Sequence, residues 1–101
     1  MKIITICGSL KYMDEIMKIT EEMTLRGNCV LSIVYPARCD LNKYSKEEKE
    51  MFGAMHRERI RLSDAILVVN IDDYIGESTR GEIEFARSLN KEILYYTDFT
   101  T

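Results

Sequence analysis

Short runs rich in β-branched residues alternate along this 101-residue chain with longer stretches whose apolar residues recur every three or four positions. The first pattern is typical of buried strands, and the second is typical of amphipathic helices. Strands are therefore predicted over residues 2–7, 29–35, 64–71 and 92–96, and helices over residues 10–26, 45–62 and 79–89. Connections of this length allow right-handed crossovers, so the alternation predicts a parallel sheet flanked by helices.

The number of elements also limits the architecture. Four strands and three helices make one domain over residues 1–101, because a single core typically holds about 100 to 150 residues. We predict an α/β three-layer sandwich of the flavodoxin-like or Rossmann-like type, with a small parallel sheet in the strand order 2-1-3-4. In such sheets ligands bind beyond the carboxyl ends of the strands where the order reverses, which is here between the first and third strands.

Charge and cysteine content exclude several classes of protein. The net charge is −3, a poor match to a protein that holds nucleic acid phosphates non-specifically. The three cysteines form no CxxC pair and indicate neither a disulfide scaffold nor a metal site. The apolar runs are far shorter than the roughly 18 residues that span a bilayer, and the first residues do not resemble a secretory signal. We expect a cytoplasmic protein that binds neither membranes nor nucleic acids.

Two loops are predicted to reach the crevice. The first contains Gly8, Ser9 and Lys11 and joins a strand to a helix, where free backbone N–H groups and the helix dipole favour an anion. A plain turn with Ser9 as the N-cap explains the same residues. The pattern is neither GxGxxG nor a P-loop, so we expect no dinucleotide or triphosphate and no cofactor.

The second loop brings Gly76, Ser78 and Thr79 to the start of the last helix. With Thr79 as the N-cap, Glu82 would occupy the third helical position of a capping box, a purely structural role. The helical wheel instead places Glu82 within the apolar arc and Glu84 nearly opposite. A carboxylate on the inward face beside a crevice is where burial tunes reactivity, so we favour a functional role for Glu82.

His56 is the single histidine and falls at the edge of the apolar stripe of the second helix. A lone helical histidine is more often structural, and both interpretations stay open on spacing alone. Arg59 lies near the same stripe, where its guanidinium can turn into the crevice or pair with Asp64.

Three segments, ICGSLK, SDAILVVN and IGESTRGEIEFARSLNKEI, together resemble the nucleoside 2-deoxyribosyltransferase family, including its deoxynucleoside 5′-monophosphate N-glycosidases. The resemblance covers residues 2–95 except 36–52. It implies a flavodoxin-like fold and a glutamate nucleophile, matched by Glu82, that attacks the anomeric carbon of a deoxyribose and releases the base. Independently, a 101-residue α/β layer with many methionines on its helices would bury area by pairing, so we expect a homodimer or higher homo-oligomer.

The resemblance also implies the other site residues. Gly8, Ser9 and Lys11 match the residues that hold the 5′ end of the substrate, while Gly76, Ser78 and Thr79 match the second wall of the pocket. The family's acidic aspartate corresponds here to His56, whose imidazolium can also donate a proton. The expected ligand is thus a small-molecule nucleoside or its 5′-monophosphate.

Competing functions follow from the same residues. The chain either cleaves or transfers an N-glycosidic bond through Glu82, or it is a non-catalytic nucleotide-binding or regulatory module that keeps the two loops. The exchange of aspartate for His56 favours the module, and the inward position of Glu82 favours the enzyme. Attack on a ribose–nicotinamide bond is a third reading, which no dinucleotide motif supports.

Overall fold

A computed structural model describes residues 1–99 and contains a four-stranded, wholly parallel sheet in the order β2-β1-β3-β4. The predicted fold class and strand order are confirmed. The strands are β1 (Ile3–Cys7), β2 (Cys29–Leu31), β3 (Ala65–Val68) and β4 (Glu92–Tyr95), and the α-helices are α1 (Met13–Leu25), α2 (Lys46–Leu62) and α3 (Glu77–Ser88). No helix among residues 1–99 is long and apolar enough to cross a membrane.

Several predicted boundaries were wrong: β3 ends at Val68 and not at residue 71, α1 begins at Met13 after a short 3₁₀ turn and not at residue 10, and two further differences have identifiable reasons. The second strand was expected to reach Tyr35 but ends at Leu31, because β2 is an edge strand whose pairing with β1 stops at Thr5. The last helix was expected to begin at Thr79 but begins at Glu77, with Gly76 as its N-cap. Thr79 therefore lies inside the first turn of α3, so the capping-box explanation of Glu82 does not apply.

The alternation of side chains along the sheet divides the core into two layers. On one face, Ile4 and Ile6 of β1 pack with Ile16 and Ile19 of α1. On the other face, Cys7 packs with residues of β3, α2 and α3, namely Ile60, Ile66, Val68, Ile83 and Ala86. Successive strand residues point to opposite faces of a sheet. Cys7 therefore lies on the face opposite Ile4 and Ile6, which is the face covered by α2 and α3.

Buried hydroxyl groups attach the end of α2 to the centre of the sheet. Thr5 Oγ1 donates to the Arg59 carbonyl at 3.0 Å, and Ser63 Oγ donates to the same carbonyl at 2.7 Å. The two hydroxyls also contact each other, and both residues are almost completely buried. One of the carbonyls that a helix end leaves without an intrahelical partner is thus satisfied by residues outside the helix.

The start of α2 carries the capping box expected from its sequence. Ser45 Oγ accepts from the Glu48 N–H, and a Glu48 carboxylate oxygen accepts from the Ser45 N–H at 2.8 Å. This second bond, with a smaller contribution from Arg38, lowers the pKa of Glu48 below its usual value. The helix therefore begins at a fixed point and runs from the protein surface to the sheet.

Candidate functional site

A cleft of about 460 Å³ opens where β1 ends and the helices α2 and α3 approach the sheet. Its lining comes from the first loop, the segment after β2, α2 and the start of α3. The lining residues are Gly8, Ser9, Leu10, Ile33, Val34, Pro36, Leu41, Lys49, Phe52, Gly53, His56, Arg59, Ser78 and Glu82. The cleft thus occupies the crevice at the carboxyl ends of the strands that the topology predicts.

Two residues of the cleft wall, His56 and Glu82, lie next to the fully buried Cys7. His56 Nε2 lies 3.4 Å from Glu82 Oε1 and 3.6 Å from Cys7 Sγ. The side chain of His56 is 8% exposed and that of Glu82 is 22% exposed, so only the carboxylate has appreciable access to solvent. Each residue comes from a different element, since Cys7 ends β1 and the other two lie on α2 and α3.

Burial and charge keep Cys7 from acting as a nucleophile on its own. Its thiol is fully buried, and this burial, reinforced by the nearby Glu82 carboxylate, raises the pKa of Cys7 well above its usual value. Because the thiolate is the reactive form of cysteine, the neutral Cys7 is a packing partner of His56 and Glu82. Of the three side chains, the Glu82 carboxylate is the most exposed.

Three buried polar atoms have no hydrogen-bond partner among residues 1–99. They are His56 Nδ1, Arg59 Nη1 and Glu82 Oε1, and all three residues line the cleft. Buried polar groups are normally hydrogen-bonded, and the exceptions concentrate where a ligand completes the set. The expected alternative of an Arg59–Asp64 pair is not formed, since Asp64 Oδ2 instead accepts from the Ile3 N–H at 2.8 Å.

Two of the three residues predicted in the first loop lie at the cleft. Gly8 and Ser9 line the cleft, and Ser9 also caps a short 3₁₀ turn by accepting from the Lys11 N–H at 3.2 Å. Lys11 is directed elsewhere, with its ammonium 4.7 Å from the ring centroid of Tyr74. That distance is typical of a cation–π contact. Lys11 is therefore directed at Tyr74 and is not one of the residues that line the cleft.

The second loop contributes fewer residues than expected. Ser78 and Glu82 line the cleft, whereas Thr79 is buried beneath the helix and Gly76 caps its start next to Tyr74. Glu84 is exposed, in agreement with its predicted position on the opposite face of the helix.

Phe52 was not identified from the sequence as a residue of the cleft. Phe52 lines the cleft and is held edge-on by Tyr44, with ring centroids 5.1 Å apart. Arg38 in turn lies over the Tyr44 ring at 4.4 Å and donates to the Lys43 carbonyl and to Glu48. These contacts attach the segment after β2 to the first turn of α2, and Phe52 gives the cleft an apolar wall.

Comparison with known proteins gives no match: neither a protein-family model nor a curated protein sequence resembles the chain significantly. What the site does must therefore be argued from its own geometry.

We predict opposite effects for the same substitution at two glycines. A Cβ at Gly8 would lie 3.2 Å from both Ile16 Cδ1 and Val69 Cβ, so Gly8→Ala should destabilise the fold by about 1–3 kcal/mol through overpacking. A Cβ at Gly81, inside α3, meets nothing within 4 Å in the described chain, so Gly81→Ala should stabilise by about 0.5–1 kcal/mol. Urea unfolding of both variants measures the difference, and equal midpoints would contradict the packing argument at Gly8.

Proposed function

We propose that this protein cleaves the N-glycosidic bond of a 2′-deoxynucleoside 5′-monophosphate, with Glu82 as the nucleophile. The observation that carries the proposal is a partly exposed carboxylate, 3.4 Å from a buried imidazole, on the wall of a cleft of about 460 Å³. Cleavage of this bond passes through an oxocarbenium-like state, and a carboxylate beneath the sugar both stabilises the positive charge and traps it.

Glu82 attacks through the oxygen that is not buried. Oε1 is buried against His56, which leaves Oε2 to face a sugar in the cleft. As the bond from Oε2 to the anomeric carbon forms, the carbon–nitrogen bond breaks and its electron pair stays on the base. Water then attacks the same carbon, and the Glu82 carboxylate leaves. The products are the free base and the sugar phosphate, with one water consumed.

His56 is proposed to supply and recover the proton of this cycle. A protonated imidazole gives its proton to the departing base and takes one from the attacking water in the second step. Its contact with Glu82 also orients the carboxylate.

Water has a route to the intermediate beside Glu82. A second cavity of about 300 Å³ is bordered by Gly53, Arg57, Ser78, Gly81 and Glu82. Glu82 and Ser78 therefore border both cavities, and a water molecule can approach without passing the base. This access favours hydrolysis over transfer to a second base, since a transferase must exclude water from its intermediate.

Arg59 is proposed as the group that holds the 5′-phosphate. Its Nη1 is buried without a partner in the described part of the chain, and the residue lines the cleft together with Ser9 and Ser78. A guanidinium and two hydroxyls are donors that suit phosphate oxygens. The apolar wall that includes Phe52 and Val34 offers a surface for the flat base.

A binding module is the second candidate, and one observation favours it. The imidazole of His56 is almost completely buried, and its Nε2 is directed at Glu82 and Cys7, two groups of the protein itself. A histidine held in this way positions the Glu82 carboxylate but does not contact the base of a bound nucleotide. The experiments on Glu82 and His56 below separate the two candidates.

The first prediction from the proposed function concerns Glu82. Glu82→Gln should reduce the release of free base from deoxynucleoside 5′-monophosphates by about 10⁴-fold or more, because removal of a nucleophile abolishes the covalent step. Chromatography of the free base measures the rate, and calorimetry checks that the nucleotide still binds. The matched control is Glu84→Gln, which alters an exposed carboxylate of the same helix. Binding without release by the unaltered protein would establish the module instead.

The second prediction separates proton donation by His56 from positioning. His56→Ala should slow release of an unmodified purine by about 10²- to 10⁴-fold. The same variant should lose much less activity on the corresponding 7-methylpurine nucleotide, because a positively charged base leaves without being protonated. Steady-state rates on the two substrates give the comparison. Equal losses on both would show that His56 only positions Glu82.

The third prediction tests the phosphate contact. Arg59→Gln should raise KM for a deoxynucleoside 5′-monophosphate by about 10- to 100-fold, since a charge-assisted hydrogen bond is worth about 1.5–3 kcal/mol. KM for the deoxynucleoside without phosphate should stay nearly constant. Arg61→Gln is the control, because Arg61 is an exposed residue of the same helix that pairs with Glu58. A parallel rise in both KM values would refute the assignment.

The fourth prediction concerns self-association, which we propose as a homodimer or higher homo-oligomer. Met23 lies in the core, but the exposed methionines Met13 and Met17 form an apolar surface on α1. A second copy would cover such a surface and bury apolar area. Sedimentation equilibrium should give a multiple of the chain mass, and the double variant Met13→Lys, Met17→Lys should give the mass of one chain. An unaltered protein with the mass of one chain would exclude the oligomer.

A further inference from the structure

Cys7, His56 and Glu82 together carry the three kinds of ligand atom that zinc prefers: a thiol sulfur, an imidazole nitrogen and a carboxylate oxygen. One such atom from each residue lies within 4.8 Å of the other two. The cluster is assembled from three separate elements of the fold, and each element is fixed by the core around it.

Two of the three distances in this cluster match those of a tetrahedral zinc site, and the third pair, Cys7 Sγ and a carboxylate oxygen of Glu82, lies within 4.8 Å. With ordinary zinc–ligand distances, a tetrahedral site has a sulfur–nitrogen edge of about 3.6 Å and a nitrogen–oxygen edge of about 3.4 Å. The observed distances are 3.6 Å from Cys7 Sγ to His56 Nε2 and 3.4 Å from His56 Nε2 to Glu82 Oε1. A hydrogen bond between nitrogen and oxygen would bring them to about 2.9 Å.

We propose that a divalent transition metal ion, Zn²⁺ by its ligand set, binds between Cys7 Sγ, His56 Nε2 and Glu82 Oε1. The buried, otherwise unpartnered Glu82 Oε1 gains a partner in this complex. His56 and Glu82 both line the cleft, so the proposed ion lies next to a cavity open to solvent. Mg²⁺ and Ca²⁺, which favour sets made only of oxygen atoms, are not suited to the thiol and the imidazole.

The charge of the complex agrees with its burial. When the metal binds, the Cys7 thiol releases its proton to solvent and a metal–sulfur bond forms, while neutral His56 and ionised Glu82 coordinate without further change. The charge of the ion is then balanced by one thiolate and one carboxylate. A neutral assembly is far less costly to bury than an uncompensated charge.

The metal would compete with the proposed chemistry at Glu82. Coordination takes up the carboxylate and the imidazole together, so an ion in this place prevents both attack on a sugar and proton transfer. This consequence rests on the proposed function, whereas the binding of the ion does not. Metal binding is therefore tested by a direct spectroscopic measurement and inhibition by a separate rate measurement.

Cobalt titration of the full chain, in the presence of a phosphine reductant, is the direct test. Co²⁺ bound to a thiolate gives a charge-transfer absorption in the near ultraviolet, and stoichiometric Zn²⁺ should abolish it by displacement. Cys7→Ser should lose the absorption. The double variant Cys29→Ser, Cys39→Ser is the matched control and should keep it, because both of these cysteines are exposed and lie outside the cluster.

Glu82→Gln provides a second variant at a partly exposed position if Cys7→Ser fails to fold. A group that only supports a metal ligand is worth about 10- to 100-fold in affinity, so loss of a direct ligand should weaken Co²⁺ binding by more than about 100-fold. The proposal is overturned by the absence of the absorption in the unaltered protein, by its persistence in folded Cys7→Ser, or by unchanged affinity in Glu82→Gln. Base release unaffected by Zn²⁺ would overturn the inhibition alone.

Discussion

The site depends on the buried hydroxyl contact between Thr5, Ser63 and the carbonyl of Arg59. This contact fixes the last turn of α2 against β1, the strand at the centre of the order β2-β1-β3-β4 that pairs with both β2 and β3. His56 lies one turn before Arg59 on the same helix, so anchoring the carbonyl also fixes the imidazole beside Cys7 and the guanidinium at the cleft. The Arg59 carbonyl, which the end of the helix leaves without an intrahelical partner, therefore fixes the geometry of the candidate site.

The architecture was largely accessible from the sequence, because hydrophobic periodicity and connection length are local properties. The strand order was predicted from the flavodoxin-like fold class that the alternation of strands and helices favours, and it is confirmed. The errors arose where the outcome depends on neighbours. Pairing with β1 ends β2 at Leu31 although the apolar residues continue to Tyr35. At the start of α3, Gly76 takes the cap that the hydroxyl of Thr79 was expected to provide, and Thr79 is buried instead.

The candidate site was only partly accessible. Glu82 could be identified because its inward position follows from the helical period, and His56 because it is the single histidine. The contact of both with Cys7 could not be read from spacing, since the three residues are far apart in the chain and meet only where β1, α2 and α3 converge. The same holds for Phe52, whose exposure to the cleft depends on the Tyr44 ring packed against it.

The segment from Pro36 to Tyr44 forms part of the cleft wall, and the hydrogen bonds of Arg38 hold it at the protein surface. Within the described residues 1–99, neither buried core cluster includes a residue of this segment. Its length and composition can therefore change during evolution without loss of folding stability. The shape of this part of the cleft wall and the packing of the core are therefore separable features of the architecture.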